Sequence, residues 1–226
     1  MLSTIEEAKE IAQVRGKVYS LLSQCFFQPS EELATSITKG SLNEALQGTV
    51  GMVEGEEVER ELARIKGFGA KCQKRPHQEV LKDMKVEYNR LFVGPGHVAA
   101  PPYESVYKTR NADNEIGVVM GDAAIAVKRF YRQAGIELSD DFKDLPDHIA
   151  VELQFMAHLC SLEVGSQEDG KDSLNSMQAK FLTEHLGSWI ADFSHAVCHS
   201  THSDFYCSIA SLAEVWVKFE LDALQY

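Results

Sequence analysis

Cysteine is sparse and odd in number in this 226-residue chain: Cys25, Cys72, Cys160, Cys198 and Cys207 are scattered, and no CxxC pair occurs. That excludes a disulfide framework of the secreted kind and predicts reduced thiols in a cytosol. No run of about 18 apolar residues occurs, so no membrane-spanning helix is predicted. Residues Met1 to Glu7 have neither a basic start nor a continuous apolar stretch. No signal peptide is predicted, and the expected compartment is the cytoplasm. Basic residues are also in deficit. Lys and Arg number 22 against 34 Asp and Glu, a net charge of −12, which argues against nucleic acid or an anionic membrane as the main partner. The phosphate-loop pattern GxxxxGKS/T, the nucleophile elbow GxSxG and the paired Glu-x-x-His of di-iron bundles are all missing. No convincing run of strand alternation appears.

What is present is helical. Apolar residues make up 44% and charged residues 25%, ordinary for a globular protein able to bury a core. Ile5, Ala8, Ala12, Val18, Leu22, Cys25 and Phe26 recur at helical spacing. Ser30 opens a second helix that stops near Gly40, and Ser41 with Glu44 reads as a capping box for a third. A charged amphipathic helix covers Glu54 to Cys72, and another follows Pro76. Gly94-Pro95-Gly96 and Pro101-Pro102 mark a loop, with Tyr103 to Tyr107 extended or turned and Lys108, Arg110 and Asn111 to Asn114 exposed. Helices are then expected over 118–133, 145–163, 173–185, 189–200 and from Ser203 or Asp204 onward, with a polar linker at Gly165 to Gly170 and an interruption at Gly187. The expectation is an all-α bundle of about nine or ten helices. It has sub-lobes 1–115 and 116–226 and a hinge near 136–148.

Two clusters carry candidate chemistry. Asp144-Leu-Pro146-Asp147-His148 leads into a long apolar helix, with Asp144 as N-cap, Pro146 in the first turn and Asp147 at its third position. His148 and Glu152 share a face at i, i+4, which reads either as a binding rim or as the wet end of a core helix. Between Glu137 and Asp172 ten acidic residues face only Lys143 and Lys171, which suits a basic peptide or simply a solvated surface. The second cluster is His195, Cys198, His199 and His202, ligand-type residues on one helix face with Cys207 nearby. One straight helix rarely closes a tetrahedron, so a metal-binding protein or metal-dependent enzyme stands as the alternative class.

Three blocks in order resemble the TorD/DmsD/NarJ-type family of redox-enzyme maturation chaperones. They are Tyr88-Asn-Arg-Leu-Phe92-Val-Gly-Pro95 with Pro101-Pro102-Tyr103-Glu104-Ser105-Val-Tyr107, then Asp144 to His148 with Glu152, Leu153, Phe155, Met156 and Leu159, then Phe181, Leu182, His185, Leu186, Trp189 and Phe193. The resemblance implies a TorD-like fold, no enzymatic activity and no cofactor of its own. It implies a partner too: the N-terminal twin-arginine leader, and the apo form, of a molybdenum-cofactor oxidoreductase. The leader is implied near Pro146, Asp147 and His148 and near Tyr103, Glu104 and Ser105, with Asp144 and Glu152 in the same motif. Asp147, Glu152 or Glu104 would pair with leader arginines. The protein is expected as a monomer or a helix-swapped dimer. One departure stands out: Leu145 separates Asp144 from Pro146, where many relatives carry Glu directly before Pro.

Overall fold

A computed structural model describes residues 2–95, 98–109, 117–138, 144–166 and 168–223. The predicted exposure of Arg110 to Asn114 and the predicted turn at Ser139-Asp140-Asp141 lie outside those residues. Among the described residues the elements are helical: α1 Leu2–Phe26, α2 Glu31–Lys39, α3 Ser41–Gln47, α4 Glu56–Cys72, α5 His77–Tyr88, α6 Glu104–Lys108, α7 Asp122–Gln133, α8 Ile149–Gly165, α9 Glu168–Phe181, α10 Gly187–Ser200 and α11 Asp204–Ala223. The bundle is all-α, as expected from the periodicity. The one helix that periodicity did not indicate is the five-residue α6.

Helix α8 organises the rest. Ile149 to Leu153, Phe155 to Ala157, Leu159 and Cys160 are all buried, so it is apolar nearly all round and must be central. Helix α1 packs antiparallel along it. Ser23 Oγ donates to Ala150 O at 2.7 Å near one end, and Arg15 meets Glu163 at 2.9 Å near the other. Between them, a Cβ on Gly16 would lie 3.3 Å from Cys160 Cβ and 3.5 Å from Ala157 O, so the small residue lets the backbones close up. The core is one cluster that draws residues from both sides of the division at 115/116. Phe26, Phe92, Phe193 and Tyr206 interlock at its centre, with ring centroids 5.4–6.4 Å apart.

Several boundaries differ from expectation for identifiable reasons. Ser30 does cap α2, its Oγ accepting from Leu33 N at 3.2 Å, and Gly40 ends that helix at φ 82°. Ser41 is no cap: Gly40 takes that position, and Ser41 Oγ donates to Ser36 O. Gly187 does not interrupt. A π-turn, Leu182–Leu186, runs straight into α10. The glycine is needed there because a Cβ would lie 2.5 Å from Leu182 O and 2.7 Å from Leu221 Cδ1.

The largest correction concerns residues 144–148. The helix begins at Ile149, not Leu145, and its N-cap is His148, not Asp144. The backbone here is used elsewhere. Glu104 N donates to Asp147 O at 3.0 Å and Ile149 N to Pro102 O at 2.8 Å, an isolated antiparallel bridge of Tyr103 with His148. That pairing holds the segment extended until its last residue.

The expectation of five reduced thiols also fails, since Cys198 and Cys207 form a disulfide across the α10–α11 corner. With those sulfurs joined, the proposed ligand set dissolves. The His195 and His199 rings lie 3.8 Å apart, tilted by 34°, and the backbone N–H of His202 donates to Glu87 Oε1. Among the described residues no group of three or more His, Cys, Asp or Glu is placed to hold a metal ion.

Candidate functional site

The three sequence blocks meet in one place. The bridge between residues 103 and 148 joins the first two. The π-turn then turns His185 of the third block inward, where Nδ1 lies 3.0 Å from both carboxylate oxygens of Glu104. Four residues on, Trp189 donates through Nε1 to Glu152 Oε2 at 3.1 Å and stacks against Tyr107 at 5.4 Å. Asp147 Oδ2 accepts from Ser105 N at 2.9 Å, which caps the start of α6 from a distant segment.

These side chains form an interior knot, not a rim. Glu104, Ser105, Asp147, His148 and Glu152 are all buried. Burial works against the Glu104 charge, but the hydrogen bonds from His185 and Lys108 outweigh it and hold the carboxyl below its usual range. Glu152 goes the other way: burial, then the neighbouring Glu104 charge, raises it well above the carboxylate range. Burial also raises Asp147, against the bonds from Ser105. Asp147 Oδ1 and Glu152 Oε1 are buried with no donor aimed at them among the described residues. Among the described residues, neither Asp147 nor Glu152 has a basic partner, whereas Glu104 has His185 and Lys108.

His148 has a double role that spacing did not reveal. Its Nδ1 accepts from Ala150 N at 3.1 Å, which caps α8, so the ring proton sits on Nε2. Burial pulls its pKa down to about 4, and Asp144, with Oδ2 3.8 Å from Nε2, offsets part of that.

The accessible side of the site is small and specific. Tyr103, Asp144 and Pro146 are half-buried at its surface, and Asp144 is 35% exposed. Tyr103 OH donates to Asp144 Oδ1 at 3.0 Å. Phe27, at the end of α1, stacks parallel on the His148 ring with 6.2 Å between centroids. Tyr131 OH donates to Pro146 O at 2.7 Å. Beside Tyr131 opens an apolar cavity of about 250 Å³ lined by Ile136, Leu138, Val151 and Phe155, with Gln154 and His158 at its edge. Sequence reasoning missed Phe27 and Tyr131 as part of this surface. Phe27 falls just past an amphipathic helix, where an aromatic reads as a terminator.

The three blocks thus share one buried polar interior, with the half-buried Asp144 and aromatic rings above it and an apolar cavity alongside, in an all-helical chain. Residues 54–195 match the family described as nitrate reductase delta subunit, and the chain belongs to that family. Over nearly its whole length it is also similar to proteins named chaperone protein TorD. The relative from Colwellia psychrerythraea is 24% identical over 98% of this chain and 96% of its own. The one from Shewanella sp. strain ANA-3 is 28% identical over 96% of each, and that from Vibrio cholerae El Tor is 23% identical over 95% and 93%. A solved structure from Archaeoglobus fulgidus, described as a redox enzyme maturation protein, aligns over 95% of this chain and 94% of its own at 19% identity, with a TM-score of 0.47. The chain is a chaperone of this family, not an enzyme. No helix among the described residues is long and apolar enough to cross a membrane.

Proposed function

We propose that this chaperone acts in the cytoplasm on a molybdenum-cofactor oxidoreductase. It binds the N-terminal twin-arginine leader and holds the apo enzyme until the cofactor is inserted. The observation that carries this reading is the shortage of cations at the site. Three carboxylates converge there, yet among the described residues only Glu104 has basic partners. An incoming guanidinium meets Asp144 first, with Tyr103 and Phe27 offering ring faces and edges beside it. The apolar stretch of a leader would lie across this surface and place a side chain or two in the cavity beside Tyr131. Glu104, Ser105, Asp147, His148 and Glu152 serve by setting the shape and charge of this surface from beneath. The hinge near 136–148 expected from the sequence belongs to this reading as well. A swapped dimer would re-form the α1–α8 contact between copies.

Calorimetry with a synthetic twin-arginine leader tests the reading, with twin-lysine and scrambled peptides as controls. The leader should bind saturably and the scramble should not. The lysine peptide should be weaker, since an ammonium cannot engage a carboxylate in two parallel bonds. Asp144→Asn should weaken leader binding about tenfold while leaving the melting temperature within a degree or two, because its carboxylate is at the surface. Equal binding of leader and scramble would remove the leader from the proposal.

A further inference from the structure

At the opposite end of α1, a cavity of about 770 Å³ opens between α1, α8, α9 and α11. Three large apolar side chains around it are left in solvent: Ile11 is 61% exposed, Met52 54% and Phe219 42%. Trp216 lines it from within the core, and its buried Nε1 has no acceptor among the described residues. The charge of the rim is one-sided. Glu163 and Glu220 are already engaged by Arg15, whereas Glu7 and Glu10 are exposed and without a partner among the described residues.

We propose that this cavity is a docking site for a basic amphipathic α-helix of a partner protein, separate from the leader site. Charge selects the occupant. A second copy of this chain would bring Glu7 and Glu10 against their own equivalents, and an anionic lipid surface would meet the same acids. Secondary structure selects it as well. The walls are helices whose backbone groups are already bonded, so they offer no strand edge for an extended peptide to join. The occupant must satisfy its own backbone, as a helix does. Apolar side chains at i, i+3 or i+4, and i+7 would cover Ile11, Met52 and Phe219, and lysines or arginines on either flank would meet Glu7 and Glu10. Arg15 and Asp144 stand at opposite ends of the α1–α8 pair, about 20 Å apart by helix rise. The two sites are therefore distinct, and this inference does not rest on the leader reading.

The test uses the full chain and a synthetic amphipathic helix of about four turns, leucine on one face and lysine on the other, with one photoactivatable leucine. Cross-links should map to α1 and α11 at the cavity. Affinity should fall about tenfold or more in a Glu7→Lys/Glu10→Lys variant and again in an Ile11→Asp/Phe219→Asp variant. All four positions are exposed, so both variants should melt normally. Asp144→Asn should change nothing here. Cross-links elsewhere, equal binding of a leucine–glutamate helix, or undiminished affinity in both variants would overturn the proposal. So would a dimer of the chain alone that Phe219→Asp abolishes, since the face would then belong to a second copy.

Discussion

The two ends of the α1–α8 pair solve the same problem differently. At one end, the buried Glu220 and the part-buried Glu163 converge on Arg15, which donates to each at 2.9 Å and to Gln178 at 2.6 Å, while Tyr19 adds a bond to Glu220. Burial works against the Arg15 charge, but Glu220 more than offsets it and the guanidinium is held charged beyond its usual range. At the other end, Glu104, Asp147 and Glu152 share a comparable space with His185 and Lys108, and no guanidinium is present among the described residues. There burial and the Glu104 charge raise the Glu152 carboxyl well above its usual range instead. One cluster is closed by its own cation. The other leaves Asp147 and Glu152 without a basic partner among the described residues and sits beneath the accessible Asp144.

The comparison breaks most visibly at Arg15. Arg15→Met should cost about 3–5 kcal/mol in urea unfolding, because it leaves carboxylates without their cation. Adding Glu220→Leu should recover part of that loss. At the other end, Glu104→Leu should cost about 1–3 kcal/mol by stranding the His185 ring, and Lys108→Ala under about 1 kcal/mol, since Lys108 is partly exposed. The smallest effect is a gain. Glu152 has its folded-state pKa raised from 4.5, so the native state retains a proton that the unfolded chain releases, and stability falls as pH rises past 4.5. Glu152→Gln keeps an acceptor for Trp189 and removes that slope. It should melt like the parent near pH 4 and higher at pH 7, by about 2–4 °C for each kcal/mol recovered. Parallel pH profiles for parent and variant would show that Glu152 is ionised in the fold.

The helices were largely legible because their signals are local. Ser30 and Gly40 do what a cap and a stop residue do, and α8 announces itself by apolar length. Residues 144–148 were not legible as a cap because their backbone partners lie more than forty residues away, at Pro102 and Glu104. The inward turn of His185 depended on a π-turn that periodicity does not encode. Arg15 left a signal that went unread. It interrupts the stripe Ala12, Tyr19, Leu22 and Phe26, and Glu220 interrupts Leu212, Trp216 and Val217 on α11. A charge on an apolar face, repeated on a second helix, points to a buried pair. The histidine and cysteine spacing near residue 198 misled because ligand-type residues at helical intervals say nothing about which neighbours already occupy them.

The bridge between Tyr103 and His148 also bears on when the site exists. The helices can form from nearby contacts, but the clip joins residues 45 positions apart, and Phe27 reaches His148 across 121. Closing such long loops is entropically late. The ring stack, the α6 cap from Asp147 and the α8 cap from His148 therefore depend on the same long-range closure. A chain still emerging, or one that has lost its core, carries none of the surface around Asp144. The surface around Asp144 thus depends on the closure of the whole fold beneath it.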